Sequence, residues 1–170
     1  MSDGELIDVV DDEDRLVCTS PRRHMRERNL WHRTVAVLCE NSLGEIYVQR
    51  RSDGKDLFPG QYDMFTSGCL AAGEGYDEAA QRELLEELGI SGAILRPLFK
   101  HRYDGSQTRT HTWLYRTCWD GPIHHQDGEV AWGGFVPLAD VIANCRGWTF
   151  VADGAAHFAE ALRRGVLASG

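Results

Sequence analysis

The sequence has no apolar run approaching the roughly 20 residues that span a bilayer, so no membrane segment is expected. No secretory leader is expected either. Its first residues, Met1 to Glu5, are acidic and polar rather than basic and then apolar. Cysteines are scattered and odd in number: Cys18, Cys39, Cys69, Cys118 and Cys145 show no metal-ligand spacing, so reduced thiols in a cytoplasmic protein are expected. There is no internal repeat, no low-complexity segment and no linker. Positive charge is in deficit: 18 Lys and Arg stand against 26 Asp and Glu, a net charge of −8. A whole-surface field for nucleic acid is thereby excluded. An anionic substrate would need a metal and a local basic patch. The 170 residues suffice for one domain with a sizeable core, so a single domain over 1–170 is expected.

What is present is a succession of short β-type runs and helical patterns. Residues 5–10 and 15–19 read as strands, with Asp11, Asp12, Glu13 and Asp14 as the hairpin turn between them. Residues 22–28 are basic and suit a short helix after Pro21. Residues 34–39 form a β-rich apolar run suited to a central strand, and residues 45–51 alternate as a half-buried strand does. Residues 52–60 are a loop. Further strands are expected over 94–102, 110–119 and 130–136, with a polar loop over 124–129. Pro137 opens a helix to about Asn144, and residues 153–164 form a terminal helix with Asp153 as N-cap.

Residues 75–89 carry the strongest local pattern. Gly75 can cap a helix start, and Asp77 and Glu78 put negative charge in its first turn, where the helix dipole favours it. Gly89 stops the helix in a left-handed cap. Ala80, Leu84 and Leu88 recur every four residues and make an apolar stripe. Glu83, Glu86 and Glu87 fall at i, i+3 and i+4, so they form an acidic band beside that stripe, expected to face solvent rather than core. Carboxylates this close repel one another. Magnesium or manganese, which prefer hard oxygen ligands, would offset the repulsion. Arg82 can pair with Glu86 or Glu78 and hold the band in place. The alternative for such a band is a solvated charged face.

Gly68, Glu74 and the run Arg82, Glu83, Leu84, Glu86, Glu87, Gly89 and Ile90 fill all nine fixed positions of the Nudix box, and residues 68–90 are similar to that motif throughout. The resemblance implies an α/β/α sandwich with this helix packed on a mixed β-sheet. It implies metal-assisted cleavage of a diphosphate linkage. By the same resemblance, Glu86 and Glu87 are metal ligands, Glu83 is a ligand or general base, and the Gly68 carbonyl completes the site. Many members add a carboxylate from a late loop, for which Glu129 is the candidate here.

A wider set of residues resembles the isopentenyl-diphosphate isomerase-like branch of this superfamily. It comprises His32-Arg33, Val48-Gln49-Arg50-Arg51-Ser52, Lys55-Asp56, Pro59-Gly60 and Asp63, with an N-terminal hairpin extension over 1–30. There the positions of Arg51 and Lys55 contact the substrate diphosphate, which suits a planar fork and a compact point charge. The departures are on the isomerisation side. The isomerase has a catalytic cysteine where this chain has Ser67 and a metal histidine where it has Cys69. It has a late Glu-x-Glu pair where this chain has Arg109, Thr110 and His111. His32 alone matches an isomerase metal histidine.

Trp113, Trp119, Trp132 and Trp148 are expected in the core or half-buried, and His124 and His125 in a solvent-facing loop. Cys69 is expected as a small buried residue, and substrate choice is expected to lie in loops 103–109 and 124–129. The chain is therefore expected to be a cytoplasmic, magnesium- or manganese-dependent Nudix hydrolase. Glu83, Glu86, Glu87 and Arg82 would be its catalytic residues, and Arg51 and Lys55 its phosphate contacts. The alternatives are an isopentenyl-diphosphate isomerase and a non-catalytic Nudix-fold sensor. The expected partner is a small-molecule diphosphate, with no nucleic acid and no membrane; a homodimer is left open.

Overall fold

The computed structural model describes residues 4–55 and 57–167. Asp56, quoted above beside Lys55, lies outside the described residues. The elements in order are β1 (Leu6–Val10), β2 (Leu16–Pro21), α1 (Arg22–Glu27), β3 (Trp31–Glu40), β4 (Glu45–Arg51), β5 (Tyr62–Asp63), β6 (Thr66–Cys69), α2 (Tyr76–Leu88), β7 (Arg96–Asp104), β8 (Arg109–Cys118), β9 (Val130–Pro137), α3 (Leu138–Ala143) and α4 (Ala152–Arg163). Among the described residues no helix is long and apolar enough to cross a membrane.

The strands join in one mixed sheet. β3 runs parallel to β8 from Trp31↔Arg109 to Glu40↔Cys118, and the other pairings are antiparallel. Strand alternation sorts the central apolar run to two faces. Val35, Val37 and Cys39 pack with Ala79, Ala80, Leu84 and Leu88 of α2. Ala36 and Leu38 pack with Val141 of α3 and Phe158 and Ala161 of α4. Each fully buried aliphatic side chain contributes about 1.5–3 kcal/mol. Helices thus cover both faces, an α/β/α sandwich with β1 and β2 added as the N-terminal hairpin.

β3 and β4 pair only at Glu40↔Ile46, beside their turn, and then separate. β6 fills in against β3 through Val35↔Gly68, and β5 against β4 through Gln49↔Asp63. The cleft described below opens between these two groups. Four details differ from the sequence reading. β5 and β6 have no alternating apolar run, so no strand was expected there. The cap of α4 is Val151, which places Asp153 inside the first turn. Trp132 is exposed, because it sits on the outer face of β9 opposite Arg50. His125 is tied down rather than solvent-facing: its Nδ1 meets the Glu87 carbonyl at 2.7 Å and its Nε2 the Tyr47 hydroxyl at 2.7 Å.

Candidate active site

The helix α2 begins and ends as its sequence dictates. The Glu78 carboxylate accepts the Gly75 N–H at 3.1 Å, and Gly89 adopts φ 67° at the C-cap, a conformation natural to glycine. Ala80, Leu84 and Leu88 are fully buried. The acidic band lies at the edge of this buried stripe and not in open solvent. Glu83 is only 5% exposed, which corrects the expectation that the band faces water.

Arg82 organises the acids. Its Nε and Nη2 grip Glu74 at 2.8 and 2.9 Å, and its Nη1 donates to Glu83 at 2.6 Å and to Glu86 at 3.3 Å. Nη2 also donates to the Cys69 carbonyl at 2.9 Å. Glu74 in turn accepts the Ala71 N–H at 2.8 Å. This explains the seven-residue gap between Glu74 and Arg82: the pair ties the loop after β6 to the second turn of α2. Glu78, the other partner expected for Arg82, is used at the helix start instead. Gly68 has its own reason. A Cβ there would collide with the Glu83 carboxylate, so only glycine lets β6 pass this close to α2.

Two neighbouring contacts complete the geometry. Gln49, 5% exposed, donates its amide to Glu87 at 3.1 Å from β4. Lys55 is ion-paired with Glu129, which joins the β4–β5 and β8–β9 loops. Arg51 donates to the Leu57 carbonyl at 3.0 Å, whereas Arg50 turns outward to Asp53 at 2.8 Å. One cleft of about 390 Å3 is lined by Gly68, Glu83, Glu86, Glu87, Arg51, Lys55 and Glu129. Every site residue read from the sequence except Arg82 lines this cleft, and Arg82 stands behind the acids. The loops expected to govern substrate choice reach it through Gln107 and Thr108 and through Gln126, but Tyr103 and Arg109 do not line it.

Sequence reasoning quoted Gln49 and Asp63 in the isomerase-like set and Asp153 as a helix cap, but gave no site role to them or to His157. Gln49 and Asp63 gave a faint signal, as polar residues inside or beside strand runs. The His32–Cys69 pair was read only by comparison with the isomerase. His32 donates from Nδ1 to the Leu30 carbonyl at 2.9 Å. Burial opposes its charge, but Cys69 outweighs that and moves the imidazole upward. The thiol responds in kind, held at about 7 by His32 against its own burial.

Burial lifts the Glu83 carboxyl to about 8, with Glu87 adding to the effect and Arg82 opposing it. Glu87 is also raised, first by burial. The unfolded chain would release the Glu83 proton near 4.5, well below the folded value. Between the two the folded state holds more protons, so stability falls as pH rises through that window. In excess chelator, the melting temperature should decline from about pH 5 to about pH 8 more steeply than in Glu83→Gln. Identical slopes in a thermal-shift titration of the two proteins would mean that Glu83 titrates normally.

The donor set fits a hard divalent cation: carboxylate oxygens at i, i+3 and i+4 and the carbonyl of Gly68, with repulsion that raises Glu83. Among the described residues no three acid, imidazole or thiol groups already form a finished cage, and the Arg82 guanidinium is ion-paired with Glu83 and Glu86.

A sandwich that brings an acidic helix edge and a basic loop to one cleft defines a domain for phosphoanhydride chemistry. The NUDIX domain family matches residues 30–163 of the chain. The chain is 43% identical over 162 residues to an uncharacterized Nudix hydrolase of Streptomyces coelicolor, covering 93% of this chain and 88% of that protein. It is 30% identical over 149 residues to the uncharacterized Nudix hydrolase YfcD of Escherichia coli K12, covering 88% and 83%. The crystal structure of DR0079 from Deinococcus radiodurans superposes with a TM-score of 0.77 at 28% identity, covering 94% of this chain and 98% of that one. The chain belongs to the Nudix hydrolase family, enzymes that cleave phosphoric anhydrides. Members of the family generally use divalent metal ions.

Proposed function

We propose that the chain hydrolyses a diphosphate linkage in a nucleoside diphosphate derivative or a similar organic pyrophosphate, with Mg2+ or Mn2+. The observation that carries this reading is the shared cleft, in which Glu83, Glu86 and Glu87 stand beside Arg51 and Lys55. The three glutamates and the Gly68 carbonyl would hold the cation. A divalent cation bound there neutralises charge on the diphosphate and makes water more acidic. Arg82, anchored on Glu74, keeps the acids in register. Arg51 offers phosphate a planar fork and Lys55 a point charge. A phosphate oxygen competes with Glu129 for Lys55, and its success frees the Glu129 carboxylate to serve as a further ligand or base. In the reaction, a water oxygen bonds to one phosphorus while the bridging P–O bond breaks. A proton of that water passes to a carboxylate of the band, and the second phosphate departs with its organic group.

Two other readings have less support. Isomerisation needs acid and base groups on opposite faces of a five-carbon unit. Here Ser67, Cys69, Thr110 and Thr112 line the corresponding wall. A non-catalytic sensor has no need of the complete acid set that this chain keeps. A panel of nucleoside diphosphate derivatives, screened with magnesium and manganese, tests the proposal. Turnover should vanish in excess chelator and return with either metal. Isopentenyl diphosphate should not be converted to its isomer. Full hydrolysis in chelator would remove the metal from the mechanism, and rapid isomerisation would reinstate the first alternative.

A further inference from the structure

Glu87 is gripped twice from β4, once by its side chain and once by its backbone. Strand alternation puts Tyr47 and Gln49 on the same face of β4, towards α2. Gln49 donates its amide N–H to the Glu87 carboxylate at 3.1 Å. The Ser67 N–H is a second donor to that carboxylate. The other grip runs through the loop after β8. The last carbonyls of a helix have no donor within it. At the end of α2 the His124 N–H reaches the Leu88 carbonyl at 2.9 Å, and His125 Nδ1 reaches the Glu87 carbonyl at 2.7 Å. A carbonyl only accepts, so Nδ1 carries the proton and Nε2 of the neutral ring is the acceptor. The Tyr47 hydroxyl donates to it across 2.7 Å. β9 leaves room for this contact with a glycine. Gly133 pairs with Gln49, and a Cβ there would collide with the Tyr47 hydroxyl and lie 2.7 Å from His125 Nε2.

Stability alone does not call for Gln49. It is 5% exposed, and its Oε1 is buried with no hydrogen-bond partner among the described residues. A buried acceptor left unpaired is costly. Turning the amide over is no remedy, because it would set Oε1 against an oxygen of the carboxylate and leave the N–H unpaired instead. An aliphatic side chain here would pack beside Tyr47 without that cost. What the amide supplies and a leucine cannot is a directed N–H. It engages Oε2 and so fixes the plane of a carboxylate that lines the cleft. We propose that Gln49 and the Tyr47–His125 pair are positioning residues for Glu87, a clamp that holds its carboxylate and its backbone so that a divalent cation meets it in one preset orientation. This rests on the reading of Glu87 as a metal ligand. Side chains that hold a ligand rather than the metal are worth about 10–100-fold in metal affinity.

The test is Mn2+ binding without substrate, read from the paramagnetic resonance of the free ion. Gln49→Leu should weaken binding by at least about 10-fold. Its melting temperature in chelator should hold, since the unpaired Oε1 leaves together with the N–H. A role in packing predicts the reverse, a lower melting temperature with little change in binding. In a Glu87→Gln background, where Glu83 and Glu86 remain, Gln49→Leu should have no further effect, because residues that act through one another are not additive. His125→Ala should also weaken binding. Tyr47→Phe, which keeps the ring against Phe135, should do so by less. A loss below about 10-fold in Gln49→Leu would overturn the clamp, as would an equal loss in both backgrounds. So would unchanged binding in His125→Ala. Failure of the wild type to bind Mn2+ would overturn the metal reading and the clamp together. Wild-type binding with insensitive variants would overturn the clamp alone.

Discussion

Glu86→Gln and Glu87→Gln should each lower turnover by at least about 100-fold, the loss typical when a charge-stabilising group is removed from a site of this kind. Glutamine keeps the shape and one acceptor oxygen but brings no charge to a cation. The fold should survive both changes. Glu86 is part-exposed, with 39% of its side chain accessible. Glu87 is a raised acid whose burial already disfavours its charge, so neutralising it relieves strain rather than adding it. Melting temperatures measured in chelator should therefore be unchanged or slightly higher. Kinetics at saturating metal decide the matter. Losses below about 10-fold in both variants would move the cation away from this helix edge.

Arg82→Ala should do the opposite and damage the fold first. Arg82 is the cation for Glu74 and Glu83, whose side chains are 14% and 7% exposed. Removing one partner of a buried ion pair typically costs about 3–5 kcal/mol, because the remaining charge has no compensation. At this chain length, that lowers the melting temperature by roughly 6–20 °C. Arg82→Lys should recover part of the loss, since a point charge cannot serve Glu74, Glu83 and the Cys69 carbonyl together. Adding Glu74→Gln to Arg82→Ala should also recover part of it, because Glu74 is the acid that Arg82 holds below the usual carboxylate range. If the double variant melts no higher than Arg82→Ala, the penalty does not come from the stranded Glu74 charge.

Much of this molecule was legible in the sequence, and the exceptions have physical causes. Strands and helices with a clear period, such as residues 34–39, 45–51 and 75–89, fall where the apolar spacing puts them, within a residue or a few. β5 and β6 did not show, because they form by pairing with distant strands and not by their own alternation. The acidic band was legible because it sits on a single helix, where spacing alone fixes proximity. Its burial was not, because Glu83 is covered by Gly68, fifteen residues away on another element. The same holds for Gln49 against Glu87. These pairs are made by strand register and by the splaying of β3 from β4. No local window of sequence contains both members.

The parallel pairing of β3 with β8 also governs the order in which the protein can be made. Trp31 meets Arg109 and Glu40 meets Cys118, so the middle of the sheet joins positions 78 residues apart. Parallel neighbours of such separation pay their loop-closure entropy before any contact rewards it. As the chain leaves the ribosome, α2 and its acids are complete some thirty residues before β8 is. Through that interval the stripe of Ala80, Leu84 and Leu88 has only β3 and β6 to cover it. The helix that carries the acidic band is thus made in the middle of the chain, and its side of the sheet is complete only when β8 has joined β3.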